Sequence, residues 1–170
     1  VGYTYIGYGV VMWILAKLVK KKGRPAADSL PEVTLVIAAY NEEDFILKKI
    51  KNTLSLNYPS QKLNVYIVTD GSSDRTPEIV ASVPGVRLFH EHQRKGKIHA
   101  VNRVMRFVTT PVVIFCDANT FLNPEAVSNI VRHYNDPKVG GVAGEKRIFR
   151  KEEDDASGSG EGLYWKYESF

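Results

Sequence analysis

Asp117-Ala118-Asn119 sets two oxygen-bearing side chains two residues apart, directly after the apolar run Val112-Val113-Ile114-Phe115-Cys116. Alternation along an extended backbone would send Asp117 and Asn119 to one side. A carboxylate and an amide carbonyl on one side suit a hard divalent cation, Mg2+ or Mn2+, whose remaining positions go to diphosphate oxygens and water. Two other apolar runs end in polar clusters of the same kind. Tyr40-Asn41-Glu42-Glu43 follows residues 33–39, and Asp70-Gly71-Ser72-Ser73-Asp74 follows residues 63–69. Asp70 could accept hydrogen bonds from a nucleobase N–H or a ribose, and Gly71 permits a tight turn or a close ligand approach. Tyr40 offers a ring for stacking and Glu42 an acceptor. Each also has a purely structural reading: Asp117 and Asn119 as turn formers, Tyr40 as core, Glu42 as a favourable helix-start charge, Asp74 as a helix cap.

Arg94-Lys95-Gly96-Lys97 lies between a strand pattern and a helix pattern. A lysine at a helix N-terminus is poorly placed for the helix dipole, which favours anions there, and a phosphate would supply the missing anion. Lys97 is therefore the basic residue of this group with a chemical reason for its position. His90 and His92 stand two apart, but no further Cys/His cluster supports a zinc site. Cys116 reads as a strand residue. No Gly-x-Gly-x-x-Gly follows the first apolar run and no Walker lysine loop occurs, which argues against a dinucleotide-binding dehydrogenase and a P-loop NTPase.

These residues need a scaffold that brings strand ends together. Residues 33–39 form an almost unbroken apolar run, as in a strand covered on both faces. Residues 42–56 carry Ile46, Ile50 and Leu54 at helical spacing, with Asn41 able to cap. Strands are expected at 63–69, 86–89 and 112–116, and a weaker fifth at 139–143, where Gly140 and Gly141 interrupt it. Helices are expected from Thr76-Pro77-Glu78, over 97–108 with Ile98, Val101, Met105 and Val108 on one side, and from Asn123-Pro124-Glu125 to about Tyr134. Strand–helix alternation implies right-handed crossovers and an α/β fold: a mainly parallel sheet with helices on both faces. In such a sheet ligands bind outside the strand C-termini.

The 170 residues are enough for one core, and 44% hydrophobic with 25% charged residues argues against wholesale disorder. A single cysteine rules out an intrachain disulfide and fits a reducing compartment. The net charge of +4 is local, residing in Lys17, Lys20, Lys21, Lys22 and Arg24 and in Arg94, Lys95 and Lys97, and nucleic acid is not an expected partner. Residues 1–16 carry no charge and include Tyr3, Tyr5, Tyr8 and Trp13, followed by the basic block. Residues 1–22 therefore read as a transmembrane or membrane-proximal helix with the following domain on the cytoplasmic side, joined through a linker at 23–31. The nucleotide-binding domain spans 32–150, and 151–170 reads as a flexible loop and the start of a helix. Opening on Val1 and closing on Phe170 within a helical pattern, the chain reads as an excerpt of a longer protein.

In order and spacing, these segments resemble the family 2 glycosyltransferases of the GT-A fold, from about Pro31 to Phe170. The resemblance rests on Val33-Thr34-Leu35-Val36-Ile37-Ala38-Ala39-Tyr40-Asn41-Glu42-Glu43, Asp70-Gly71-Ser72-Ser73-Asp74, Arg94-Lys95-Gly96-Lys97 with Asn102, and Asp117-Ala118-Asn119. It implies a nucleotide-diphosphate sugar donor, most often UDP-linked, inversion at the anomeric carbon, and a saccharide or lipid-linked acceptor, as in polysaccharide biosynthesis. It also implies that Ala39, Tyr40 and Glu42 line the base and ribose site, that Asp70 contacts the base, and that Lys97 lies near the nucleotide. Asp117 and Asn119 would hold ribose and the metal–diphosphate. Asn119 stands where the family commonly has aspartate, and Thr69 where many members have a second acid, so the chain offers less negative charge to a metal. The family's catalytic base has no matching position here and is expected beyond Phe170, which would leave this chain alone inactive. Two rival readings share the strand-end acids: a nucleotidyltransferase that makes the donor, and a non-enzymatic receiver-like α/β module.

Overall fold

A computed structural model describes Gly7, Val10, Val11, Trp13, Ile14 and residues 30–145. The chain divides into two compact units, Val1–Arg24 with Gly141–Phe170, and Pro25–Gly140. In the first, Val10, Val11, Trp13 and Ile14 are helical and exposed. Among the described residues no helix is long and apolar enough to cross a membrane. Most of the expected 1–22 helix, most of the 23–31 linker, and all of the 151–170 loop and helix lie outside the described residues.

The second unit holds a four-stranded sheet: β1 (Val33–Ala39), β2 (Leu63–Asp70), β3 (Arg87–Glu91) and β4 (Val112–Asp117). Its order is β3-β2-β1-β4, with every pair parallel. In register, Ala39 pairs with Thr69, and Ala38 with Asp117, so the polar strand ends come level at one edge of the sheet. The helices are α1 (Ile46–Leu54), α2 (Thr76–Ala81), α3 (Lys97–Met105) and α4 (Ala126–Val131).

Central β1 is buried on both faces, which is why its sequence is apolar but for Thr34, whose hydroxyl is hydrogen-bonded to that of Thr110. Val33, Leu35 and Ile37 pack with Ile46 and Ile50 of α1, Val80 of α2 and Val127 and Val131 of α4. Val36 and Val68 face the other way, against Ala100 and Val104 of α3. Burying each of the larger aliphatic side chains contributes about 2 kcal/mol.

Several local expectations are corrected. α1 begins at Ile46, after a turn in which Phe45 and Ile46 donate their N–H groups to the Glu42 carbonyl. Asn41 does not cap it: the residue has φ 52° and is bonded to the β2 loop instead. The buried stripe of α1 is Ile46, Lys49, Ile50 and Thr53, whereas Leu54 is exposed. On α3 the packed residues are Ala100 and Val104, and Ile98 is 79% exposed. Small Ala100 lets the helix sit close to the sheet, and that fixes which side faces inward. Residues 139–143 form no strand. The adjacent Gly140 and Gly141 bring no side chain to pack and raise the entropy cost of an extended segment.

Candidate functional site

β1 leads by way of α1 to β2 on one side, while β4 lies on β1's other side. The strand order therefore reverses between β1 and β4, the position at which open α/β sheets bind ligands. A cleft of about 320 Å³ lies there, at the C-terminal ends of the strands. Ala39, Tyr40, Glu42, Asp70, Lys97, Asp117 and Asn119, each expected from the sequence, all line it. Arg94, Gly96 and Ala100 line it too. A more open hollow of about 480 Å³ lies at the opposite ends of β2 and β3, with Arg87 as its only charged residue, and holds none of these groups.

Asp70 is 6% exposed. Its Oδ2 accepts from the backbone N–H groups of Lys95 (2.8 Å) and Gly96 (2.6 Å), tying the end of β2 to the loop before α3. Its Oδ1 is buried and, among the described residues, has no hydrogen-bond partner. An unpaired buried acceptor is costly.

Gly71 is required at its position. It has φ +70°, and a Cβ there would lie 2.6 Å from the Arg94 Cβ and 2.8 Å from its backbone nitrogen. The close approach lets Arg94 lie over Tyr40, with its guanidinium carbon 3.9 Å from the ring centroid. The sequence does not single out Arg94, since Lys97 has the clearer rationale there. The available signal is residue type, since a guanidinium stacks on an aromatic face better than an ammonium does.

The β1 and β2 loops are laced together. The Ser73 N–H donates to Asn41 Oδ1 (2.9 Å), the Glu42 N–H to Thr76 Oγ1 (2.8 Å), and the Glu43 N–H to Asp74 Oδ2 (3.0 Å). Asp74 also accepts from the Thr76 N–H at 3.0 Å, just before α2, although the N-cap position itself falls on Arg75. Burial pushes the Asp74 carboxyl up. Hydrogen bonds from the Thr76 side chain and from the backbone at Thr76, Glu43 and Asp74 itself outweigh that and hold it below its ordinary value. Glu42 is pushed the other way, first by burial, then by the nearby charges of Asp74 and Asp117.

β4 ends at Asp117 and the chain turns at once, the Thr120 N–H donating to the Asp117 carbonyl (3.2 Å). The backbone is not extended through Asn119, yet Asp117 and Asn119 still line one cleft. Gly96, with φ +93°, precedes α3 and Lys97, whose Nζ pairs with Asp117 Oδ1 at 2.5 Å. Both side chains are more than half exposed, so the contact is solvent-screened and readily exchanged.

Among the described residues no three His, Cys, Asp or Glu side chains gather to hold a metal. Asp117 and Asn119 offer two oxygen donors. A Mg2+-like cation that takes the rest of its shell from phosphates and water needs no more from a protein. Glu42 is raised first by burial, but the charges of Asp74 and Asp117 add to the rise, and a cation would offset that part, so the residues fit such a group. His90 and His92 contact each other (Nε2 to Nδ1, 3.2 Å), and His90 Nδ1 meets Thr69 Oγ1 at 2.8 Å.

The glycosyl transferase family 2 model matches residues 34–168. Poly-beta-1,6-N-acetyl-D-glucosamine synthase of Staphylococcus aureus (strain MSSA476) is 32% identical over 135 residues, covering 77% of this chain and 32% of that protein. Beta-monoglucosyldiacylglycerol synthase of Trichormus variabilis is 30% identical over 131 residues, covering 74% of this chain and 28% of that protein. The chain thus spans about a third of the length of these curated relatives. Mannosyltransferase PcManGT from Pyrobaculum calidifontis, solved with GDP-Man and Mn2+, superposes with TM-score 0.71 at 31% identity, over 81% of this chain and 43% of that one. S. aureus TarS 1-349, solved with UDP-GlcNAc, has TM-score 0.58 at 17% identity over 71% of this chain and 38% of that one, a likeness of fold.

Proposed function

We propose, from a chain that belongs to glycosyl transferase family 2, that the switch-point cleft binds the nucleotide-diphosphate sugar donor of an inverting, metal-dependent transfer. The observation that carries this reading is the meeting of Asp70, Lys97 and Asp117 in one cleft, from the ends of β2 and β4 and the start of α3. Tyr40 and Arg94 supply a stacked pair beside which a base and ribose fit, and the unpaired Asp70 Oδ1 is an acceptor for a base or ribose donor. Asp117, Asn119 and Lys97 take the diphosphate end. A Mg2+ or Mn2+ ion there would offset the charge that builds on the departing nucleoside diphosphate.

Lys97 has two partners to choose between on this reading. Without donor it neutralises Asp117. With donor it can turn to a phosphate oxygen, leaving Asp117 to the cation. The acceptor hydroxyl also needs a base to take its proton. That base is expected from a part of the protein that this chain does not supply, consistent with its spanning 32% of a relative's length. The relatives' names point to a saccharide or a glycolipid product, hence to a saccharide or lipid-linked acceptor. The apolar residues 1–16 and the basic block after them support an anchored enzyme with this domain on the cytoplasmic side.

UDP is the expected nucleotide from the family resemblance, while the 31% identical mannosyltransferase was solved with GDP-Man. A calorimetric panel of UDP-Glc, UDP-GlcNAc and GDP-Man with Mn2+ tests the reading. Micromolar binding of at least one is expected. No binding by any of them at millimolar concentration would overturn it.

A further inference from the structure

Lys49 has no exposed surface. It sits on the inward stripe of α1 between Ile46 and Ile50, where an aliphatic residue would ordinarily stand. A buried ammonium is costly unless it is hydrogen-bonded, so its partners carry information. Nζ donates to the Thr120 carbonyl and to Cys116 Sγ, the latter at 3.0 Å. These residues flank Asp117-Ala118-Asn119 immediately before and immediately after. The buried ammonium therefore closes the loop from beneath into a ring.

Among the described residues the loop's own backbone hydrogen bonds are few. The Ala118 N–H donates to the Ala38 carbonyl (3.2 Å), and the Thr120 N–H to the Asp117 carbonyl (3.2 Å). One turn along α1, Asn52 holds Leu122 through both its backbone groups, at 2.8 and 2.9 Å. α1 thus grips residues 120–122 by side chains alone. The charge matters as well as the geometry. Asp117 is the single carboxylate of the loop, and although its side chain is more than half exposed, the Lys49 ammonium that bonds the residues on either side of the loop is buried and less screened. That field favours an anion above the loop.

We propose that Lys49 is a positioning residue for the donor's diphosphate: its buried ammonium fixes the curvature of the 117–119 loop and biases it towards phosphate oxygens. This rests on reading that loop as the diphosphate-holding one.

The test separates the diphosphate from the rest of the nucleotide. Lys49→Met keeps length and apolar bulk but removes the charge and its hydrogen bonds. Uridine and UDP, and guanosine and GDP, are titrated with Mn2+ into wild type and variant by ligand-observed NMR and calorimetry, with folding checked by circular dichroism. UDP or GDP affinity should fall about tenfold or more, the scale of one charge-assisted hydrogen bond, while the matching nucleoside binds as before. Equal loss for nucleoside and diphosphate, or no loss, would overturn the proposal. Should the variant not fold, Cys116→Val carries the test. It removes one of two partners and should lower diphosphate affinity about threefold with faster amide exchange at Ala118 and Asn119. Unchanged exchange and affinity would overturn the proposal. Asp117→Ala distinguishes the two levels. If it leaves diphosphate binding intact, the reading of the loop itself fails; if it abolishes binding while Lys49→Met does not, the role of Lys49 alone fails.

Discussion

Asp70→Asn perturbs the site with almost no change of shape. The amide oxygen can keep both bonds that Asp70 Oδ2 now accepts, from the N–H groups of Lys95 and Gly96. It keeps them as a neutral acceptor, and a charge-assisted bond is stronger by about 1 kcal/mol. Two bonds therefore lose about 2 kcal/mol together. The amide NH2 takes the place of Oδ1, which is already unpaired, so that position adds little to the cost in the free protein. For a domain of this size the loss corresponds to a Tm lower by roughly 5–10 °C. The effect on binding has a different origin. A donor now stands where a base or ribose donor would be received, and one charged hydrogen bond becomes a repulsion. Nucleotide affinity should fall about tenfold to a hundredfold, measured by calorimetry well below the melting temperature. A lower Tm with unchanged affinity would limit Asp70 to holding the loop before α3. An unchanged Tm together with an unchanged affinity would refute the reasoning altogether.

Gly71→Ala should lower stability by about 2 kcal/mol or more in urea unfolding, because a side chain is strained at φ +70° and its Cβ meets the Arg94 backbone. It should also weaken nucleotide binding by displacing Arg94 from the Tyr40 ring, and an unchanged urea midpoint would count against that packing. Asp74 gives a pH dependence. Its carboxyl is held below the ordinary 3.8, so its contribution is full above that value and is lost as the pH falls through the folded value. Replacement by asparagine should flatten the acid-side fall in stability below pH about 4; an unaltered slope would assign that fall to other carboxylates.

Much of this scaffold is legible in the sequence because burial on both faces leaves a plain mark. β1 is the clearest case: its covered faces demand the run from Val33 to Ala39, and the polar strand ends follow from the lack of any core beyond it. Tyr40, Glu42, Asp70, Asp117 and Asn119 could be placed at the cleft for the same reason, as oxygen-bearing side chains where strands stop. Register and side-chain partners are less visible. Lys49 reads as solvent-facing by type, and only its two acceptors across α1 and β4 make burial tolerable. Leu54 fits helical spacing, yet the packed residue is Thr53, whose hydroxyl donates to the Lys49 carbonyl at 2.9 Å and so needs no outside partner. Ile98 fits the spacing of α3, but the approach of Ala100 and Val104 to Val36 and Val68 turns it outward. Arg94 depends on Gly71, two loops apart in sequence, and a contact of that kind leaves no periodic trace.

The most direct test of a diphosphate-holding 117–119 loop is a calorimetric titration of UDP and GDP into wild type and Asp117→Ala, each with Mn2+ and with EDTA. Wild type should bind one nucleotide tightly with Mn2+ and about tenfold or more weakly with EDTA, and the variant should bind weakly in both. Metal-independent binding of equal strength in the two proteins would contradict the assignment of Asp117 and Asn119 to the metal–diphosphate.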